Sequence, residues 1–243
     1  MKIAGILKAS LIDYPGKTSA VCFLGGCNFH CGYCHNPEIV HCSKSQINDE
    51  ELFHFLEKRR RFLDAVCISG GEPTLQEELY FFASRIKEMG YFIKLDTNGS
   101  NPELLKLLAK NNLLDYVAMD VKAPLNRYND VVCVKADQSA IRESMDFLLA
   151  GSIPYEFRTT ICKELLTFED LTIMSDELSG AKRWYLQTFQ KQGDLLNASA
   201  SFSAYSEEEM KHFAMKLNEM MKIKLCAEGA ATAREGSTCV SVR

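Results

Sequence analysis

The sequence lacks the long apolar stretches that mark membrane-spanning and secreted proteins. No run approaches the ~18 apolar residues that a transmembrane helix needs, and Lys8 interrupts the first apolar stretch before it reaches the length of a signal-peptide core. An excess of basic residues is also missing, because 28 Lys and Arg stand against 32 Asp and Glu. The net charge of −4 gives no electrostatic footprint for nucleic acid. We therefore expect a cytoplasmic protein with neither a membrane nor a nucleic-acid partner.

The cysteines do not have the arrangement of a disulfide framework. Such frameworks are typical of short secreted chains, whereas 243 residues with 47% hydrophobic content can bury a full core. Most of the 10 cysteines stand singly, which indicates reduced thiols. No repeat, low-complexity run or linker divides the sequence. We expect a single domain over residues 1–243, with its core at about 18–226 and a tail at 227–243.

Three further cysteines form one short motif, in which Cys27, Cys31 and Cys34 are separated by three and two residues. An iron–sulfur cluster of four irons normally takes four cysteine ligands. Three cysteines would leave one iron free to bind something else. The alternative is a zinc site that His30 or His35 closes as the fourth ligand, in a structural or adaptor module. The spacing alone leaves both possibilities open.

Strand and helix patterns alternate along the chain. We predict strands at residues 3–7, 20–24, 66–69, 92–96, 116–121, 155–161, 184–188 and 223–226. The first two form a hairpin around Pro15-Gly16. Helix starts are predicted by the cap-like pairs Thr74 with Glu77, Thr167 with Asp170 and Ser206 with Glu209, and by Asn101-Pro102. The pattern predicts an α/β fold of parallel strands, as an open doubly wound sheet or as a closed or partial barrel.

Polar clusters stand at the ends of three predicted strands. These are Gly70-Gly71-Glu72, Asp96-Thr97-Asn98-Gly99 and Asp120-Val121-Lys122. Taken singly, each is typical of a turn or of a surface ion pair. In an α/β barrel, however, the functional groups come from the carboxyl ends of several strands. Together with the cysteine motif after the second strand, the clusters predict one site at that end of the sheet.

The same motifs, with Tyr33 before the last cysteine, resemble those of radical S-adenosylmethionine (SAM) enzymes. Residues 10–17 and 26–37 more narrowly resemble the activating enzymes of glycyl radical proteins. The resemblance covers roughly residues 3–125. It implies a partial (β/α)6 TIM-like barrel of parallel strands with an N-terminal β extension.

The resemblance also implies the cofactors. The three cysteines would hold one 4Fe-4S cluster, whose open iron would bind SAM. Gly70 and Gly71 would let its methionine portion approach closely, Glu72 or a carbonyl would accept from its ammonium, and Tyr33 would lie against the adenine. A monovalent cation would bind at Asp96, Thr97 and Asp120. The residues expected to contact the cofactor are Tyr33, Gly70, Gly71, Glu72, Asp96, Thr97, Asn98, Asp120, Lys122, Arg158 and Gln187.

Two departures from the relatives bear on this site. Some relatives have a histidine after a late strand, whereas residues 186–190 contain none, and Gln187 or Gln190 would take its place. Arg158 matches a polar position of the family, although an ion pair on the strand face would explain it equally well.

The resemblance further implies the reaction and its partners. The protein would cleave SAM reductively and generate a glycyl radical on a partner enzyme, either anaerobic ribonucleoside-triphosphate reductase or a pyruvate formate-lyase-like enzyme. Many relatives carry additional CxxC runs that hold further clusters, and this sequence has none between Cys34 and Gly70. Electrons would therefore come from flavodoxin or ferredoxin. The alternative within the superfamily is an enzyme that acts on a small molecule or on RNA.

Overall fold

The strands lie in one sheet and follow one another in chain order. The computed structural model describes residues 1–191, 193–227 and 239–243, with the side chains of the last helix described as far as residue 221. The strands are β1 Ile3–Tyr14, β2 Lys17–Leu24, β3 Ala65–Gly70, β4 Phe92–Thr97, β5 Tyr116–Asp120, β6 Tyr155–Ile161, β7 Arg183–Thr188 and β8 Cys239–Val242. The helices are α1 Pro37–Val40, α2 Asp49–Arg59, α3 Leu79–Glu88, α4 Pro102–Lys110, α5 Tyr128–Val132, α6 Gln138–Leu149, α7 Phe168–Glu177 and α8 Glu207–Ala227.

The first two strands form the predicted hairpin. They are antiparallel, with Tyr14 opposite Lys17, so that Pro15 and Gly16 make the turn. Gly16 has a φ of +71°, which glycine adopts without steric cost. The prediction of an N-terminal β extension is confirmed.

From β2 to β8, each strand is parallel to the next. Right-handed crossovers that always advance in one direction leave their helices on one face, so the sheet curls instead of being doubly wound. Among the described strands, no pairing joins β1 to β8. The predicted partial α/β barrel is therefore confirmed. No helix of the described part has the length and apolar character needed to cross a membrane.

One predicted strand is wrong. Residues 223–226 belong to α8, and the strand beside β7 is β8, which lies in the segment predicted as a tail. The buried residues Met210, Ala214, Leu217 and Met221 recur along α8 at helical spacing, so residues 223–226 continue a helix that packing against the sheet stabilises. A short apolar run alone does not distinguish a strand from such a helix end.

The predicted helix starts are confirmed except at Thr74. Asn101 caps α4 before Pro102, and Thr167 forms a capping box with Asp170 at α7. At α8, the side chains of Ser206 and Glu209 each accept from the other's backbone N–H. Thr74 instead lies in a 3-10 turn at Pro73–Leu75, because its N–H and hydroxyl both donate to Glu72.

The alternation of side chains along the strands places two apolar layers on opposite faces of the sheet. Val66 and Ile68 of β3 belong to the large cluster that includes the buried helix residues, whereas Ala65 and Cys67 belong to a small cluster inside the curl of the sheet. Successive side chains of a strand point to opposite faces, which explains this division. The helix-facing side is therefore a continuous apolar core.

The concave face of the sheet carries charged side chains on β4 and β6. Lys94 and Asp96 alternate with the buried Ile93 and Leu95 of the large cluster. Lys94 is only 2% exposed, and on β6 Glu156 is 1% exposed. Buried charges are tolerated only when they are paired. The concave face therefore gathers ion pairs beneath the carboxyl ends of the strands.

Asn218 of α8 holds β8 in place, and removing its side chain should loosen that strand. Its amide donates to the carbonyl of Val240 at 2.7 Å and accepts from the Val240 N–H at 2.8 Å. We expect Asn218→Ala to lower the free energy of unfolding by about 1–3 kcal/mol, because two backbone groups lose their partner. Chemical denaturation measures the loss, and hydrogen exchange at Val240 should quicken.

Asn111→Ala is the matched control. This exposed asparagine at the end of α4 donates to the carbonyl of Leu107. Its replacement should change stability by no more than ~0.5 kcal/mol. Equal losses in the two variants would contradict the role given to Asn218.

Candidate active site at the carboxyl ends of the strands

One cavity opens where β2 to β6 end, and it gathers most of the predicted site residues. Glu72 and Gln187 are not among the residues that line it. Sequence reasoning missed several of its lining residues, among them Ser69 and Thr160, and named His35 only as a possible zinc ligand. The predicted site residues that line the cavity are Cys27, Cys31, Tyr33, Cys34, Gly70, Gly71, Asp96, Thr97, Asn98, Asp120, Lys122 and Arg158.

Backbone hydrogen bonds from distant segments hold the cysteine loop. The N–H of His30 donates to the carbonyl of Val132 at 2.9 Å, and the N–H of Leu196 donates to the carbonyl of Cys34 at 2.9 Å. Within the loop, the N–H of Cys34 donates to the carbonyl of Cys31 at 2.9 Å. The loop is thus positioned by the chain itself.

Burial favours the protonated form of two thiols in the loop. Burial raises the pKa of Cys31 to about 11 and also raises the pKa of Cys27. Metal ligands must be thiolates, so binding would release protons. Among the described residues, no three His, Cys, Asp or Glu side chains converge on a point that could hold a single ion.

Two buried polar atoms beside the cysteines have no partner. Within the described chain, these are the hydroxyl oxygen of Tyr33 and Nδ1 of His35. The His35 ring is fixed by stacking on Phe189, with centroids 5.3 Å apart. Unpaired buried polar atoms are rare in folded proteins. Since both residues line the cavity, a polar group bound there would satisfy them, and the soft sulfur ligands suit iron–sulfur chemistry.

The Gly70-Gly71 turn fits tightly against the chain that enters the cysteine loop. A Cβ on Gly71 would lie 2.0 Å from the carbonyl oxygen of Gly26, and one on Gly70 would lie 2.3 Å from that of Leu24. Gly70 also has a φ of +121°, which other residues rarely adopt. We predicted these glycines for close approach of a cofactor. The contact that requires them is between two segments of the protein.

Glu72 lies beneath the cavity, where its carboxylate joins neighbouring loops. The side chain is fully buried. It accepts from the N–H and hydroxyl of Thr74, from the hydroxyl of Thr97 at 2.8 Å and from the N–H of Asn98 at 2.6 Å. Burial raises the pKa of Glu72, and these donors oppose the rise. Its carboxylate is therefore already used by the protein itself.

Asp96 forms one half of a charged floor. Its carboxylate accepts from the amine of Lys94 and from the hydroxyl of Ser69 at 2.9 Å, and Arg158 lies 3.5 Å away. Burial alone would raise the pKa of Asp96, but the charges of Arg158 and Lys94 outweigh it and lower the pKa below its ordinary value. Asp96 is therefore ionised at neutral pH.

Asp120 forms the other half of the floor. Arg158 donates to one of its oxygens at 2.8 Å and Lys122 donates to the other at 3.0 Å. These two cations overcome the effect of burial and hold the pKa of Asp120 well below its ordinary range. The Asp120 carboxylate raises the pKa of Lys122, although burial opposes this. Arg158 therefore bridges the two aspartates.

This pairing leaves the predicted monovalent cation without support. Every carboxylate oxygen of Asp96 and Asp120 has a protein donor, and the hydroxyl of Thr97 donates to Glu72. The repulsion that a cation would relieve is relieved by lysine and arginine. Lys94 was missed, although its position two residues before Asp96 places both side chains on one face of β4.

The late-strand residues lie to one side of the cavity. Gln187 is on β7, in register with Thr160 of β6. Thr160 lines the cavity and Gln187 does not. After β7, the ring of Phe189 stacks against the ring of His35. A histidine of the cysteine loop therefore packs against the segment that follows β7.

Replacing Gly71 by alanine should displace the cysteine loop. The added Cβ would overlap the Gly26 carbonyl, so the variant should lose about 1–3 kcal/mol of stability. Chemical denaturation measures this loss. Gly5→Ala is the control, because its Cβ would meet nothing within 4 Å. If Gly71→Ala were as stable as Gly5→Ala, the tight contact would be wrong.

The charged floor should make the fold acid-sensitive. Asp96 and Asp120 have lower pKa values in the folded protein than the ~3.9 of an unfolded aspartate, so the unfolded chain takes up protons first. Their stabilising contribution is present above that value and is lost as the pH falls below about 4. Asp120→Asn should make the loss less steep between about pH 4 and pH 3 and should lower stability at pH 7. Denaturation at each pH measures both, and an unchanged slope would contradict the pairing.

Comparisons with known proteins agree with this geometry. The sequence model of the Radical SAM superfamily matches residues 21–163. A Methanocaldococcus jannaschii protein named "Putative glycyl-radical enzyme activating enzyme MJ1227" is 35% identical over 91% of this chain and 89% of its own length. The pyruvate formate-lyase-activating enzyme of Streptococcus mutans is 30% identical over 50% of this chain and 52% of its own.

A solved structure shares the fold. Streptococcus suis SuiB bound to its precursor peptide SuiA superposes with a TM-score of 0.67 at 12% identity, covering 92% of this chain. This chain spans 48% of the SuiB chain. The matched family segment covers more than half of the sequence and contains the cysteine loop and most of the cavity residues. The chain belongs to the radical SAM superfamily.

Proposed function

We propose that this protein is an activating enzyme that generates a glycyl radical on a partner protein. The observation that carries the proposal is that Cys27, Cys31 and Cys34 line the same cavity as the charged floor. The similarity to the M. jannaschii protein, which extends over most of both chains, supports the activating-enzyme class.

Cys27, Cys31 and Cys34 would hold a 4Fe-4S cluster with one iron open toward the cavity. When bound, the cluster and SAM would supply a 5′-deoxyadenosyl radical by one-electron reductive cleavage, and that radical would take a hydrogen atom from a glycine Cα of the partner. Phe29 and Tyr33, 3% and 5% exposed, wall this side of the cavity and exclude water. Exclusion matters because a primary carbon radical attacks most C–H bonds.

The charged floor suits the amino-acid end of SAM. Lys94, Lys122 and Arg158 are paired with Asp96 and Asp120. Lys122 and Arg158 lie at the cavity surface, where they can also donate to a carboxylate. The unpaired atoms of Tyr33 and His35 provide further hydrogen-bonding positions. Glu72 would support the site from beneath the cofactor through its hydrogen bond with the N–H of Asn98.

The partner would be a glycyl radical enzyme, either anaerobic ribonucleoside-triphosphate reductase or a relative of pyruvate formate-lyase. One cysteine triplet is available for a cluster, so the protein would hold a single one and take electrons from flavodoxin or ferredoxin. The names of the relatives support the class of partner.

Cys31→Ala should abolish both cluster binding and SAM cleavage. The wild-type protein, reconstituted without oxygen, should contain about four irons per chain and should form 5′-deoxyadenosine when reduced. Cys239→Ala is the control, because this exposed thiol lies outside the cavity. Iron analysis, the absorbance of the cluster and chromatography of 5′-deoxyadenosine provide the measurements.

Adding a glycyl radical enzyme to the reduced protein should give the electron paramagnetic resonance signal of a glycyl radical. Cleavage of SAM without that signal on either class of partner would favour the enzyme that acts on a small molecule or on RNA. Zinc in place of iron, with no cleavage, would overturn the whole proposal.

A further inference from the structure

A ring of hydrogen bonds joins the cysteine loop to the segment that follows β4. The side-chain amide of Asn98 donates to Oδ1 of Asn28 at 2.9 Å. The amide of Asn28 donates to the hydroxyl of Ser100 at 2.9 Å, and the N–H of Ser100 donates to Oδ1 of Asn98 at 2.9 Å. Each side-chain oxygen and nitrogen of the two asparagines therefore has a partner within the ring.

The Asn98 side of this ring is fixed from below. Its backbone N–H donates at 2.6 Å to Glu72, and the neighbouring hydroxyl of Thr97 donates to the same carboxylate at 2.8 Å. Asn98 is only 5% exposed, whereas Asn28 is exposed. Although Asn98 lines the cavity, its amide is already used in the ring. Its place in the structure indicates that it holds the cysteine loop in position.

The Asn28 side of the ring reaches a cluster ligand. Asn28 directly follows Cys27, and the next residue, Phe29, directs its N–H at the sulfur of Cys27 at a distance of 3.4 Å. The orientation of this N–H depends on the peptide between residues 28 and 29. Hydrogen bonds to ligand sulfurs are one of the means by which proteins set the potential of an iron–sulfur cluster.

We propose that Asn28 and Asn98 are a positioning pair, which fixes the Cys27 end of the loop to β4 and keeps the Phe29 N–H directed at the Cys27 sulfur. Neither residue contacts the reacting atoms, and both act through Cys27. The consequence for cluster potential rests on the proposed function. The contact itself is a property of the chain without its cofactor.

A double-mutant cycle in the cluster-free protein tests the contact. In Asn28→Ala and in Asn98→Ala, we expect the Phe29 N–H to exchange with solvent deuterium about three- to tenfold faster relative to its intrinsic rate, because the hydrogen bond between the two asparagines no longer restrains the loop. The double variant should be no faster than the faster single variant. Hydrogen-exchange mass spectrometry with overlapping peptides gives the rate at Phe29.

Two further variants separate positioning from a general loss of stability. Asn28→Asp keeps an oxygen that accepts from Asn98, so its Phe29 N–H should exchange at close to the wild-type rate, relative to its intrinsic rate. Asn111→Ala removes an asparagine far from the loop and should leave the rate unchanged. Unchanged rates in Asn28→Ala, or increases that multiply in the double variant, would overturn the proposal. Asn28 is exposed, so its variants remain informative even if Asn98→Ala fails to fold.

The reconstituted protein provides the second readout. In Asn28→Ala, the midpoint potential of the cluster should become more negative, because the N–H that stabilises the reduced, more negative cluster is no longer held in place. Asn111→Ala should keep the wild-type potential. An unchanged potential would overturn the effect on the cluster. If the wild-type protein held no iron, the proposed function would fail, whereas the hydrogen-exchange cycle would still decide whether the pair positions the loop.

Discussion

The buried carboxylate of Glu72 is the interaction on which the arrangement of the site depends. Burying a carboxylate is costly unless it is hydrogen-bonded, and burial raises the pKa of this group. The donors that offset the cost come from two loops, since Thr74 follows the glycine turn and Thr97 and Asn98 end β4. The backbone N–H of Glu72 also donates to Gly26 at 2.8 Å. Through these hydrogen bonds, Glu72 joins the glycine turn, the end of β4 and the entry to the cysteine loop.

The charged floor follows from the order of the strands, because β4, β5 and β6 are neighbours in the sheet. Asp96 and Asp120 are paired with three cations, and Arg158 bridges them. With these pairs, both aspartates stay ionised without a bound cation. Asp96 and Asp120 are neighbours only in space, so their pairing with one arginine is a property of the fold.

How far the sequence predicts this protein depends on whether a feature is local. The cysteine spacing, the hairpin turn at Pro15-Gly16 and the capping pair at Thr167 depend on neighbouring residues, and the last two are confirmed in the structure. The strand at residues 223–226 was wrong because its local apolar pattern suits a helix equally well, and only packing against the sheet decides between them. The partners of Glu72, the burial of Lys94 and the stacking of His35 on Phe189 join residues far apart in the chain. No local pattern reports such contacts.

The same distinction shows why the cysteine loop belongs to a cofactor site and not to a structural metal site. Structural zinc modules are unfolded without metal because the metal supplies most of their folding free energy. Here two apolar layers are buried independently of the loop, one against the helices and one inside the curl of the sheet. The loop is held by hydrogen bonds with Val132, Leu196 and Asn98. These contacts position the loop without a metal ligand, which supports the cluster site that we propose.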